Sequence, residues 1–160
     1  MDEEQLRFEP LRPEYLKVIR IRALILAAAA TVIAGLLDLG PIRELPVAQG
    51  VAPGLVALLG LALALVMPRR RYRAWGYRLD EDELFIRAGL MVRYRTVVPF
   101  SRVQHIDVSQ GPIERRYRLG RLTLHTAGTR TAAVWVPGLD YAEAERIRDL
   151  IRGRIRQEPA

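Results

Sequence analysis

Between Val51 and Met67 the chain reads VAPGLVALLGLALALVM, 17 residues without a charged side chain, ending at Pro68 against Arg69, Arg70, Arg71 and Arg73. As a helix this run rises about 25 Å, and adding Pro46–Gly50 brings it to about 33 Å, against a hydrocarbon core of roughly 30 Å. Nothing in a bilayer replaces water as a hydrogen-bond partner, so such a segment must be helical. Pro53 falls early, where its missing N–H costs least. A helix buried in a soluble domain would show a polar face, and no position from Val51 to Met67 supplies one. The run is therefore read as a membrane span over about 47–67 with a basic stop at its end.

A second apolar run, Ile19–Leu39, has an uncharged centre from Ala23 to Leu37, with Arg20 and Arg22 able to snorkel at one end and Asp38 at the other. A signal peptide is disfavoured, because the region before it is long and holds five acidic residues. The short Gly40–Gly50 connection makes the two spans a helical hairpin. Five Lys and Arg precede the first span if Arg20 and Arg22 are included, four Arg follow the second, and the loop has only Arg43. Both termini are thus expected on the cytoplasmic side of the membrane. Residues 1–18, with Pro10 and Pro13, read as a juxtamembrane arm ending in a short interfacial helix, with no legible function of its own.

Charge divides with hydropathy. Residues 1–68 carry 6 Lys+Arg and 7 Asp+Glu, whereas residues 69–160 carry 19 and 11, a net +8. Such a basic part is drawn to anionic headgroups by about 1 kcal/mol per arginine near the surface. Nucleic acid attracts the same sign, but the aromatics form no legible stacking platform, and it is not the expected partner. The absence of cysteine excludes disulfides and thiolate metal sites.

After Met67 the periodicity changes. Arg73–Leu79 and Leu84–Arg87 form an expected β-hairpin around the acidic turn Asp80–Glu83, followed by strands at Leu90–Val98 and Arg102–Ser109. The latter has Gln104, Ile106 and Val108 on one face and Val103, His105 and Asp107 on the other. Gly111 and Pro112 interrupt the pattern, and Ile113–Leu119 suits one helical turn. Arg121–Thr126 and Ala132–Val136 then pair around Ala127, Gly128 and Thr129. Finally, Asp140 and Glu143 fit a capping box before Ala144, Ile147, Leu150, Ile151 and Ile155, which recur at helical spacing. Six strands closed by an amphipathic helix describe an α+β domain over 69–156.

These residues carry a resemblance. Tyr77-Arg-Leu-Asp-Glu-Asp-Glu-Leu, then Val98-Pro-Phe-Ser-Arg-Val-Gln-His-Ile-Asp-Val-Ser-Gln-Gly-Pro-Ile-Glu-Arg, then Leu119-Gly-Arg-Leu-Thr-Leu-His-Thr-Ala-Gly128 resemble the bacterial PH-like domain once called membrane-flanked DUF304. The whole chain is similar to its small YdbS-type members. The resemblance implies a bent β-barrel or sandwich of about seven strands with a C-terminal capping helix. The strand beyond the six would come from splitting Leu90–Val98 or from Tyr72 onward. It implies no established activity and no cofactor, and it points to a binding or scaffolding subunit of an envelope complex, linked to envelope stress or toxin resistance. The implied partner is another membrane protein with the same domain, or a second copy. The acidic turn Asp80–Glu83 stands where eukaryotic PH domains carry a basic inositol-lipid loop, so that activity does not transfer.

His105 and His125 lack metal-ligand spacing. Asp107 shares the His105 face and can pair with it, but that dyad lacks a nucleophile, and neither a phosphate-binding glycine loop nor an H-E-x-x-H helix is present. No catalysis is expected. The stretch Gln110–Arg118 offers Arg115, Arg116 and Arg118 as a contact for a partner or headgroups. Arg69, Arg70, Arg71 and Arg73 are the membrane-surface candidates, and Gly35 and Gly60 are places where the helices can approach closely. A second class of function, an accessory subunit of a transport or export assembly, remains compatible with the hairpin. Autonomous transport is disfavoured, since neither span has an ionisable residue near its midpoint.

Overall fold

The computed structural model describes residues 8–39, 49–127 and 133–157, with the side chains of 156 and 157 left aside. Arg43, Glu44, the beginning of the second span at 47–48 and the Gly128–Thr129 turn lie outside the described residues. The chain forms two compact units, Leu16–Arg70 and a domain comprising Arg71–Ala160 together with the N-terminal residues through Tyr15.

In the first unit, α1 (Glu14–Leu39) and α2 (Val51–Arg73) are both long and apolar enough to cross a membrane. The Gly50 N–H donates to Asp38 Oδ2 at 2.7 Å, tying the two helix ends nearest the connection. Halfway along, an added Cβ on Gly60 would lie 2.9 Å from the Ala27 Cβ, so the small residue sets how closely the pair packs. Gly35 has nothing within 4 Å and plays no such part. Thr31 returns its hydroxyl to the Ala27 carbonyl at 2.9 Å, the usual way a hydroxyl is satisfied inside an apolar helix.

Both helices differ from the sequence expectation at one end. The first starts at Glu14, so the interfacial helix and the span are one element. The second does not stop at Pro68 but continues through it to Arg73. A proline inside a helix loses one backbone hydrogen bond and crowds the preceding turn, and the five residues after it, four of them arginine with good helix propensity, carry the helix on.

The domain contains two three-stranded antiparallel sheets. The first is ordered β1-β2-β3 (Gly76–Leu79, Glu83–Ala88, Tyr94–Pro99) and the second β4-β5-β6 (Val103–Ser109, Leu119–Thr126, Ala133–Asp140). A 3-10 turn at Phe100–Arg102 joins them. Between β4 and β5 stands the short helix α3 (Pro112–Arg116), and α4 (Tyr141–Gln157) closes the chain. Leu84, Ile86 and Val98 of one sheet, Leu122, Leu124, Val134 and Val136 of the other, and Ala144, Ile147 and Ile151 of α4 make the core. Leu150 departs from the expected stripe, remaining 42% exposed at the edge of the helix face. The Asp140 carboxylate accepts the Ala142 N–H at 3.1 Å as a cap, while Glu143 is turned to another task.

Two bulges bend the second sheet. Val103 pairs with Thr126 but His105 with His125, so β4 carries an extra residue between them. This separates Val103, which is buried, from His105, which is exposed, although alternation had placed them on one face. In β6, Gly120 faces Leu139 and Leu122 faces Val136, so Pro137 and Gly138 stand opposite Arg121 alone, one residue in excess. Proline has no N–H to lose from the ladder, and Gly138 adopts φ +66°, a conformation natural to glycine.

Candidate interaction surfaces

The N-terminal arm docks on the domain at that second bulge. The Arg12 N–H donates to the Gly138 carbonyl at 3.0 Å, and the Tyr15 ring lies against the Gly138 Cα. Glu9 and Tyr77 exchange two backbone hydrogen bonds, at 2.7 and 3.1 Å, forming an antiparallel bridge beside β1. The Tyr72 hydroxyl, one residue before the end of α2, donates to the Leu11 carbonyl at 2.7 Å. Leu11 and Tyr15 are buried with the core. A strand beyond the six is thus approached by one bridging residue of the arm, not by division of Leu90–Val98 or by residues after Tyr72.

Glu143 fastens this arrangement from α4. Its Oε1 accepts the Tyr77 hydroxyl at 3.0 Å, and its carboxylate is within 3.8 Å of both Arg12 and Arg146. Burial, and then the hydrogen bond and charge of Glu143, raise the Tyr77 phenol well above its ordinary range, with Glu9 adding in the same sense. Phe8 lies 3.1 Å from where a Cβ on Gly76 would stand, and the Arg87 guanidinium sits 5.1 Å above the Phe8 ring. The arm's composition gave no sign of this, because every partner is distant in sequence.

The second sheet carries a polar cluster on its exposed face. Register places His105 directly opposite His125, with ring centroids 5.8 Å apart, and Asp107 reaches both: Oδ1 is 2.9 Å from His105 Nε2 and Oδ2 is 3.2 Å from His125 Nε2. The expected His105–Asp107 pair is present, and His125 joins it through strand pairing that spacing along the chain does not encode. Both imidazoles turn towards the oxygens of one carboxylate, and among the described residues no group of three or more His, Cys, Asp or Glu is arranged to hold a metal ion.

Two arginines of the domain approach the acidic turn. Arg78 contacts Asp80 at 3.0 Å, and Arg154 of α4 approaches Asp82 at 3.8 Å. Of the arginines singled out in the sequence, Arg69, Arg70, Arg71 and Arg73 occupy the last turns of α2 and are exposed. Arg115 and Arg116 form the exposed end of α3, next to the buried Glu114. Arg118 follows at φ +54°, with its carbonyl accepting the Tyr141 N–H at 2.9 Å.

Comparison with known proteins agrees with this architecture. The family model described as bacterial PH domain matches residues 18–155. The UPF0699 transmembrane protein YdbS of Bacillus subtilis (strain 168) is 34% identical over 143 residues, covering 88% of each chain. The UPF0699 transmembrane protein YdbT of the same organism is 29% identical over 82 residues, 51% of this chain but 17% of that longer protein. No solved structure is a significant match. With two helices fit to cross a bilayer and a domain of two three-stranded sheets closed by a helix, the chain is a membrane protein belonging to the bacterial PH domain family.

Proposed function

We propose that the chain is a non-catalytic binding subunit at the cytoplasmic face of a bacterial inner membrane, presenting its PH-like domain to a second membrane protein. One observation carries most of this reading. Residues entering α1 and residues leaving α2 are both built into the domain, through Leu11 and Tyr15 on one side and Tyr72 on the other. Packing that orders both ends of the domain in this way suits a preformed binding surface. The similarity to a short section of a much longer transmembrane protein supports a partner with the same domain, a second copy being the simpler form of the same idea. Exposed arginines at the end of α2 support the cytoplasmic orientation, and the family resemblance is what suggests a place in envelope stress or toxin resistance.

Purification of the full-length chain from its own host in mild detergent, with mass spectrometry and a solution mass, tests the proposal. A stoichiometric membrane protein carrying the same domain, or a defined oligomer, is the expected result. A chain that purifies alone and monomeric overturns it. Because the protein has no cysteine, single cysteines at Asp2, Glu44 and Pro159 report orientation directly. Only the one at 44 should react with an impermeant maleimide in intact cells.

A further inference from the structure

The connection between β2 and β3, Gly89–Arg93, places Leu90, Met91 and Val92 together at the tip of a hairpin, with Met91 95% exposed. Tips of this kind ordinarily use Gly, Asn, Asp or Ser, so three consecutive apolar side chains in solvent require a reason. The tip is also held in shape. Gly89 stands at φ +110°, and a Cβ there would meet the Val92 carbonyl oxygen at 1.8 Å, so the turn folds back tightly on itself.

Behind the tip the strands are cationic. Arg87 and Arg95 are direct cross-strand partners, with the Arg87 guanidinium held over the Phe8 ring. Arg93 and Tyr94 are exposed beside them. The same outer face continues through Phe85 and Val97, which are also partners, to Arg78, whose guanidinium lies 5.9 Å from the Phe85 ring. An apolar point backed by arginine and aromatic side chains matches the depth profile of an anionic membrane surface, apolar below and negative above. The chain's own spans keep that surface near, so a modest intrinsic affinity suffices.

We propose that the β2–β3 hairpin inserts Leu90, Met91 and Val92 into the interfacial region of the bilayer, with Arg93 and Arg95 on anionic lipid headgroups. This rests on the membrane anchorage of the domain and adds to it a second, reversible lipid contact outside the spans. The site lies on a different turn from the acidic Asp80–Glu83 loop.

The test uses full-length Met91→Cys, the sole cysteine, carrying an environment-sensitive fluorophore in nanodiscs of phosphatidylethanolamine and phosphatidylglycerol. Glu81→Cys, in the acidic turn, serves as the aqueous control. The label at 91 should shift to the blue and be quenched about twofold or more by shallow doxyl-labelled lipid, as befits a depth of ~5–10 Å. That quenching should fall when Arg93 and Arg95 are changed to glutamate, or when phosphatidylglycerol is replaced by phosphatidylcholine. A label at 91 that behaves like the one at 81 overturns the proposal. So does a label shielded from aqueous iodide but untouched by the lipid quencher, which would mean that protein covers the tip. Incorporation into the nanodisc depends on α1 and α2 alone, so failure at the tip is distinguishable from failure of anchorage.

Discussion

The Tyr15 ring fills the space that a side chain on Gly138 would need: an added Cβ would lie 2.4 Å from the Tyr15 Cγ, 123 positions earlier in the chain. Replacing Gly138 with alanine should therefore combine strain at φ +66° with a steric clash against a buried ring. Together these should cost about 2–5 kcal/mol. Hydrogen exchange checks the mechanism, because the Glu9 and Arg12 amides, which bond to Tyr77 and Gly138, should lose protection before the β5 amides do. Gly153→Ala, in α4 with nothing within 4 Å, should instead stabilise by up to about 1 kcal/mol.

Tyr77 should make stability fall at alkaline pH. Its phenol is held protonated in the folded protein by burial and by the acceptor Glu143, so the folded pKa lies above the unfolded value. The associated stabilisation is complete below the unfolded pKa of about 10 and is lost as pH rises beyond it. Chemical denaturation between pH 8 and 11 should show this slope in the parent and a shallower one in Tyr77→Phe. At neutral pH that variant should lose about 1 kcal/mol with the hydrogen bond.

Gly60→Ile should loosen the helical hairpin. An added Cβ meets Ala27 on the facing helix at a distance no real Cβ pair tolerates, while a Cβ at Gly35 meets nothing within 4 Å. Forcing the helices apart should cost about 1–3 kcal/mol of their association, read as lowered resistance to unfolding in graded detergent mixtures. The Gly35 variant should behave as the parent.

Two neighbours on α4 should differ sharply. Ile151 is fully buried, and truncation to alanine should cost about 2–5 kcal/mol. Leu150 is only partly covered, so Leu150→Ala should stay within about 1 kcal/mol in the same thermal unfolding series. Equal losses would mean that the stripe read from helical spacing is buried as a whole.

The exposed polar cluster gives a weaker expectation. Asp107→Ala removes the acceptor of both His105 and His125, but all three side chains are solvated. The change in thermal stability should be below about 1 kcal/mol. A larger loss would identify the cluster as a structural clamp on β4.

Sequence alone determined the local features of this protein: two uncharged runs long enough to span a bilayer, six β segments, the Asp140 cap and the amphipathic last helix. Each depends on length, alternation or spacing within one segment, and solvent or lipid acts on such patterns one element at a time. It also held every residue of the hairpin tip, but as the start of a strand, because Leu90–Val92 are as suited to a sheet as to a turn. Tertiary structure decided which distant residues meet. The bulge at Gln104 put Val103 and His105 on different faces, and pairing of β4 with β5 brought His125 to Asp107. The bulge at Pro137 and Gly138 opened the place where the arm docks, turning an unremarkable polar segment into part of the core. Those choices are settled by packing between segments far apart in the chain, where a shift of one residue exchanges the faces of a strand and local composition scarcely changes.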